Sequence, residues 1–141
     1  MLSVERENPV WNFKTGLGVN AMVMIDTNFF CSFYNNFDVN HQIAKELFFD
    51  LDDDEQIKIP YVVAAEIAVS KDSIRLLNIA KQLSQRFVTN NDEDLEYISK
   101  FAQERDSSLK ANDFLILALC KRYRAKLLSF DKKLVRAVLS L

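Results

Sequence analysis

Short apolar segments of strand length alternate with helical patterns along most of this chain, and this alternation limits the folds that it can adopt. Runs with apolar residues at their centres predict strands at residues 22–25, 57–59, 86–89 and 126–129. Between them, apolar residues recur three and four positions apart, as on one face of an amphipathic helix. Strands that alternate with helices in this way predict an α/β domain with a mostly parallel sheet.

The length and composition fit one ordinary globular domain. The chain has 141 residues, of which 49% are hydrophobic and 27% are charged. Residues 1–21 show no clear periodicity, so we expect an N-terminal extension or arm followed by a domain at residues 22–141. No stretch approaches the ~20 apolar residues of a membrane span, and the N-terminus lacks a basic region followed by an apolar run. We therefore expect a cytoplasmic protein with no membrane contact.

Four acidic residues lie where the predicted strands end or the predicted helices begin. Asp26 and Asp131 follow strands directly, whereas Glu66 and Asp113 lie early in apolar helices. Parallel sheets bind ligands at the carboxyl ends of their strands, so we expect the four carboxylates to converge there. A carboxylate in such apolar surroundings must be paired, capped or metal-bound. Taken singly, each also fits a structural role: Asp113 as a helix N-terminal acid, Glu66 as the partner of an Arg, and Asp131 as the partner of neighbouring basic residues.

Four motifs follow one another along the chain: Met24-Ile25-Asp26-Thr27-Asn28, then Ile59-Pro60 with Val63 and Glu66, then Asp113 before Phe114-Leu115-Ile116-Leu117-Ala118, and last Leu127-Leu128-Ser129-Phe130-Asp131. Their order and spacing resemble those of the PIN-domain family, in particular the toxin nucleases of VapBC-type toxin–antitoxin pairs. The resemblance extends from about residue 22 to residue 139. The family commonly has Gly before the third acid and before the fourth strand, where this chain has Ser-Ser at 107–108 and Arg124-Ala125.

The resemblance implies a three-layer α/β/α sandwich with a mostly parallel central sheet of four to five strands. It also implies a metal-dependent endoribonuclease, the toxin of a toxin–antitoxin pair, with the four acids as catalytic and metal-binding residues. Clustered carboxylates repel one another, and a divalent cation that prefers oxygen ligands, Mg²⁺ or Mn²⁺, relieves that repulsion. Asn28 and Ser129 are expected to hold these carboxylates by hydrogen bonds.

A run of basic residues near the C-terminus predicts a contact with the RNA backbone. Between Lys121 and Arg136 there are seven basic residues and one acid, although the whole chain has a net charge of −2. Such a local cation cluster can hold phosphates, and two solvated helix faces are the alternative interpretation. The resemblance also implies a homodimer and an antitoxin partner. The candidate substrate-binding residues are Lys121, Arg122, Arg124, Lys132 and Lys133.

Other functions compete with a toxin nuclease. A housekeeping RNA-processing nuclease, or a non-catalytic PIN-fold module that binds nucleic acid, would have much the same sequence pattern. A regulatory phosphoacceptor domain usually needs an acidic pair after its first strand, and Asp26 has no acidic neighbour. Zinc is not expected, because His41 is the only histidine and no cysteine pair has ligand spacing. Cys31 and Cys120 lie in separate apolar runs and are expected to be free thiols.

Overall fold

A parallel sheet lies at the centre of the computed structural model, which describes residues 21–105 and 108–141. The strands are β1 (Met22–Ile25), β2 (Gln56–Lys58) and β3 (Lys126–Leu128). Their order is β2-β1-β3, and both pairings are parallel. Apart from Ala21, the predicted N-terminal arm lies outside the described residues.

Helices flank this sheet, which confirms the predicted α/β class. In the described part of the chain they number seven, and none is long and apolar enough to cross a membrane. The helices are α1 (Thr27–Tyr34), α2 (His41–Phe49), α3 (Tyr61–Ala68), α4 (Ser73–Leu83), α5 (Asp92–Glu104), α6 (Ala111–Tyr123) and α7 (Lys132–Leu139).

The predicted strand at residues 86–89 pairs with the chain beyond β2 at one position only. Val88 N donates to Ile59 O at 3.0 Å, and Tyr61 N donates to Val88 O at 2.8 Å. These two bonds form an isolated parallel bridge between Pro60 and Val88. Proline has no N–H to continue a ladder, and helix α3 begins at the next residue, so the pairing stops there. The described residues therefore form three strands, with this bridge where a fourth was predicted.

The core forms around β1 and α6. Val23, Met24 and Ile25 are at most 1% exposed, because β1 is the central strand and its two faces are both covered. Such a strand is expected to be continuously apolar rather than alternating. Helix α6 buries its middle, from Ile116 to Cys120, against the same cluster. The central strand is thereby fixed, and so is the position of Asp26, which follows it directly.

The acidic run at residues 50–55 looks like a solvated loop in the sequence, but its last member is buried. Glu55 Oε2 lies 2.5 Å from Lys126 Nζ, and the two side chains are 3% and 13% exposed. This ion pair joins the start of β2 to the start of β3, at the edge of the sheet opposite to the strand ends that carry Asp26 and Asp131. Lys126, a member of the C-terminal basic run, is therefore engaged in the fold.

Arg124 ends helix α6 in the left-handed conformation, with φ 51° and ψ 45°. A side chain with a Cβ is strained there by about 1–2 kcal/mol, whereas glycine is not. Replacing Arg124 by Gly is therefore expected to raise the free energy of unfolding by about 1 kcal/mol, measured by urea denaturation. The matched control is Lys100→Gly at an exposed position inside α5, where glycine is expected to lower the free energy of unfolding by about 1 kcal/mol. A lower midpoint for both variants would contradict the assignment of strain to Arg124.

Candidate active site

Asp26 lies where β1 ends and α1 begins, and it is only 6% exposed. Its Oδ1 accepts a hydrogen bond from Thr27 N at 2.8 Å, and its Oδ2 accepts one from Ser129 Oγ at 2.7 Å. Burial raises the pKa of Asp26 to about 6, and the charges of Asp113 and Glu66 add to that rise. The two hydrogen bonds act in the opposite direction, because they stabilise the ionised form. A carboxylate with this pKa changes charge close to neutral pH.

Glu66 projects from α3 and is held at both of its carboxylate oxygens. Thr27 Oγ1 donates to Oε1, and Asn112 Nδ2 donates to Oε2 at 3.2 Å. The two donors are neutral and come from the first turns of α1 and α6, so they fix the orientation of Glu66 without cancelling its charge. Thr27 is part of the first motif that resembles the family, but the sequence pattern gave neither Thr27 nor Asn112 a contact with Glu66. The only signal was their position beside Asp26 and Asp113.

Asp113 lies half-buried in the first turn of α6, where Lys110 N donates to its Oδ2 at 3.5 Å. Burial raises the pKa of Asp113, and the charges of Asp131 and Glu66 raise it further. Asp113 and Glu66 also raise the pKa of Asp26. Each of the four predicted acids therefore lies close enough to at least one other to repel it, so the structure brings the four together at one edge of the sheet.

Asp131 caps the N-terminus of α7. Its Oδ1 accepts hydrogen bonds from Lys133 N at 3.0 Å and from Leu134 N at 3.2 Å. Its own backbone N donates to Ser129 Oγ at 2.9 Å. Asp131 thus interacts with the backbone amides of Lys133 and Leu134, and the cap directs its carboxylate towards the start of the helix.

Ser129 and Asn28 connect these elements in different ways. Ser129 is fully buried, donates to Asp26 and accepts from the backbone of Asp131, so one hydroxyl links two of the acids. Asn28 Oδ1 accepts from Phe130 N at 2.9 Å and lies 3.5 Å from Ser129 Oγ. Asn28 therefore holds the loop between β3 and α7, and its amide oxygen contacts Ser129 rather than a carboxylate.

The PIN-domain family model matches residues 23–138. This chain belongs to the PIN-domain family. The resemblance that the motifs suggested is thereby confirmed, and the four acids of this PIN domain lie inside the matched region. No curated protein sequence matches the chain.

Two solved structures share the fold of this PIN domain. The crystal structure of VapC20 from Mycobacterium tuberculosis, described as a sarcin-ricin loop cleaving toxin, superposes with a TM-score of 0.63 at 16% identity. The match covers 82% of this chain and 94% of that one. VapBC2 from Rickettsia felis, crystallised with a DNA fragment from its promoter, gives 0.54 at 19% identity and covers 74% and 83%. At these identities the likeness shows the fold alone.

The donor set of this PIN domain suits a small divalent cation. In residues 21–105 and 108–141, no group of three His, Cys, Asp or Glu side chains is arranged to hold a metal ion directly. Mg²⁺, however, usually keeps several water ligands and contacts only one or two carboxylates of a protein. Asp26 and Asp113 offer hard carboxylate oxygens whose mutual repulsion a cation would relieve. The residues present therefore fit Mg²⁺ or Mn²⁺ bound largely through water.

The basic residues fall into two groups in space. Lys132 and Lys133 begin α7, directly after Asp131. The other three candidates, Lys121, Arg122 and Arg124, lie at the end of α6 away from Asp113, at least about 12 Å along the helix axis at 1.5 Å per residue. The structure therefore places two of the five predicted substrate-binding residues beside the acids.

The two cysteines and the histidine lie outside the group of four acids. Cys31 is half-buried, Cys120 is buried, and both are free thiols as predicted. His41 begins α2 with its Nδ1 2.9 Å from Ser32 O, so it contacts the backbone of α1 and no acid of the site.

Proposed function

We propose that this PIN domain is a divalent-metal-dependent endoribonuclease that hydrolyses phosphodiester bonds of RNA in the cytoplasm. The observation that carries the proposal is the convergence of Asp26, Glu66, Asp113 and Asp131, with the pKa of buried Asp26 raised to about 6. Carboxylates that destabilise one another in this way are typical of functional sites rather than of structural caps. Membership of a family in which nucleases are common supports the same assignment.

In this proposal the side chains divide the work by position. Asp26 and Asp113 would hold the ion, with Asp131 beside them. Mg²⁺ or Mn²⁺, when bound, supplies an acidified water and stabilises negative charge on the phosphate. Glu66, fixed by Thr27 and Asn112, orients the attacking water.

Two further groups of residues support this arrangement. Ser129 holds Asp26 by its hydroxyl group, as described above. Lys132 and Lys133, at the start of α7, would contact the RNA backbone.

We further propose that the enzyme is the toxin of a toxin–antitoxin pair, a homodimer whose antitoxin covers the acidic site. Support comes from the two VapC-type structures that share its fold. Induced expression in a bacterial host tests this proposal. The wild-type chain is expected to arrest growth, and Asp113→Asn to permit it. Normal growth with soluble, RNA-cleaving wild-type protein would favour a housekeeping nuclease instead.

The test of the nuclease itself compares two first-turn helix acids. Purified protein is mixed with single-stranded and stem-loop RNA in Mg²⁺, in Mn²⁺ and in EDTA, and the products are separated on a denaturing gel. Cleavage is expected with either metal and not with EDTA. Asp113→Asn is expected to lose it, whereas Asp92→Asn, an exposed acid in the first turn of α5, is expected to keep it. Cleavage that survives EDTA or Asp113→Asn would overturn the proposal.

Ser129→Ala is expected to lower kcat/KM about 10- to 100-fold, as is typical when the support of a metal-binding group is lost. It should also move the acid limb of the pH profile. The Ser129 hydrogen bond lowers the pKa of Asp26, so its removal raises that pKa and activity is lost at a higher pH as the solution is acidified. Ser129→Thr, which keeps the hydroxyl, is expected to restore the wild-type limb. An acid limb that stays in place in Ser129→Ala would show that Ser129 does not act through Asp26.

A further inference from the structure

A cavity of about 560 Å³ lies between the C-terminal end of α1 and the connection from α3 to α4. Its wall includes Cys31 and Tyr34 of α1, Asn36 and Phe37 of the following loop, and Lys71 and Arg75 on the other side. The volume is within the range of pockets that bind small organic molecules, roughly 300–1,000 Å³. None of the four acids lines it, so the cavity is a separate site.

The cavity begins about one helical turn from the acidic site. Cys31 follows Thr27 by four residues on α1, a rise of roughly 6 Å, and Ser70, which also lines the cavity, lies just beyond the end of the helix that carries Glu66. Thr27 and Glu66 are hydrogen-bonded to each other. The mouth of the cavity is therefore within reach of the unit next to a phosphate that lies at the acids.

The wall is mostly apolar by area, and most of its polar side chains can donate hydrogen bonds. Asn35 Oδ1 already accepts from Phe37 N at 3.0 Å, so its amide N–H groups are what it can offer a ligand. Burial raises the pKa of Tyr34, whose hydroxyl therefore stays protonated. The one carboxylate of the wall, Asp72, is paired with Arg75 at 2.6 Å, which leaves Lys71 as the uncompensated charge. Among the charged side chains of the wall, Lys71 is therefore the one available to a phosphate, while the negative charges of Asp38, Glu66 and Asp26 also act on Cys31.

An exposed aromatic ring stands at the rim of this wall. Phe37 is 97% exposed, which leaves its faces open to solvent. Proteins that recognise single-stranded RNA stack splayed bases on such rings and hydrogen-bond the base edges with nearby polar groups. An apolar peptide would instead be expected to meet a continuous apolar surface, and here amide, hydroxyl and charged groups interrupt the apolar part of the wall.

We propose that this cavity binds one unpaired RNA nucleotide next to the scissile phosphate, with its base on Phe37 and its phosphate near Lys71. The proposal rests on the proposed nuclease function and adds a nucleotide-recognition site to it. The base that enters the cavity then determines where a single-stranded or loop RNA is cut.

The first experiment removes each half of the interaction in turn. Phe37→Ala and Lys71→Ala are each expected to lower kcat/KM at least about fivefold, the low end of what one base–aromatic stack contributes. Val39→Ala, in the same loop, and Lys100→Ala, on α5, are the matched controls and should cleave as wild type does.

On RNA with one abasic nucleotide scanned along the cleavage region, wild type should lose activity at one position. Phe37→Ala should lose nothing further there. Equal cleavage by wild type and both cavity variants would overturn the proposal.

A second experiment reads binding without catalysis, by alkylation of Cys31 in Asp113→Asn protein with EDTA present. Cys120 is buried, so Cys31 is the thiol expected to react, and Cys31→Ser serves as the blank. Short single-stranded oligoribonucleotides should slow the alkylation, and Phe37→Ala should abolish the protection. Protection by a partner protein but not by RNA would overturn the proposal. If wild type cleaves no RNA but RNA still protects Cys31, the nuclease assignment fails and the nucleotide site stands.

Discussion

Asp26→Asn is expected to abolish RNA cleavage, lowering kcat/KM by at least about a thousandfold, and to make the metal-free protein more stable. The loss follows because an amide cannot contribute the negative charge that would hold a divalent cation, and metal-assisted charge stabilisation is worth several kcal/mol. The gain follows because Asp26 is ionised at pH 8 in a buried position beside Asp113 and Glu66. Both effects arise from the same carboxylate. The negative charge that the proposed activity needs is therefore also a charge that lowers the stability of the fold.

Folding raises the pKa of Asp26, and this sets the direction of the stability effect. The pKa of Asp26 is 3.8 in the unfolded chain and about 6 in the folded protein. The folded state therefore binds the proton more tightly than the unfolded state does. The contribution of this group to stability is therefore fully present below about pH 4 and is lost as the pH rises through 6. That rise corresponds to about 3 kcal/mol. An asparagine keeps the hydrogen bond from Thr27 N and can donate to Ser129 Oγ, so it fits the same position.

Urea denaturation in EDTA at pH 5 and pH 8 measures this effect. Relative to wild type, Asp26→Asn is expected to gain more stability at pH 8 than at pH 5. Asp92→Asn, at an exposed helix start, should follow wild type at both. Normal RNA cleavage by Asp26→Asn would show that Asp26 is not part of the catalytic site. An Asp26→Asn protein whose stability has the same pH dependence as wild type would show that the charge of Asp26 does not oppose folding.

The acids could be predicted because their placement is local. A residue that follows a buried strand and precedes a helix lies at the strand end by chain connectivity, so the sequence was sufficient for Asp26 and Asp131. Their supports depend on tertiary packing instead. Asn112 reaches Glu66 across 46 positions of sequence, and Ser129 reaches Asp26 across 103. The family motif indicated Ser129, whereas the contact of Asn112 follows only from how α6 packs beside α3.

The basic run shows why proximity in sequence does not give proximity in space. Helix α6 has 13 residues, about 20 Å at 1.5 Å per residue, and Asp113 lies at its start whereas Arg122 lies at its end. The chain then returns through β3 to bring Lys132 back to the strand ends. The basic residues between Lys121 and Arg136 therefore lie on two surfaces, at opposite edges of the sheet. Pairing of Lys126 with Glu55 could not be seen in the sequence either, because it depends on the strand order β2-β1-β3.

The interaction between Arg122 and Asp94 leads to the second large effect. Arg122 Nε donates to Asp94 Oδ1 at 3.0 Å, and its Nη2 donates to Asp94 Oδ2 at 3.1 Å and to Thr89 O at 2.8 Å. Asp94 is only 4% exposed and is also part of the capping box of α5 with Asn91. Burial alone would raise the pKa of Asp94, but the hydrogen bonds from Arg122 and Asn90 more than offset it and hold the pKa below its usual range. The carboxylate is therefore charged at neutral pH and depends on its partner.

Arg122→Ala is accordingly expected to lower the free energy of unfolding by about 3 kcal/mol. This value is at the low end for breaking a buried ion pair, because Asn90 and the backbone of Asn91 still bind Asp94. Arg124→Ala removes the same charge two residues later and is the control, expected within about 0.5 kcal/mol of wild type. At a temperature where both variants are folded, their kcat/KM on RNA should match wild type, because the end of α6 lies away from the acids. The opposite result would be an Arg122→Ala protein that keeps its urea midpoint and loses affinity for RNA. Arg122 would then belong to the substrate contact that its sequence position suggested. The ion pair with Asp94 would then not be what fixes this end of α6.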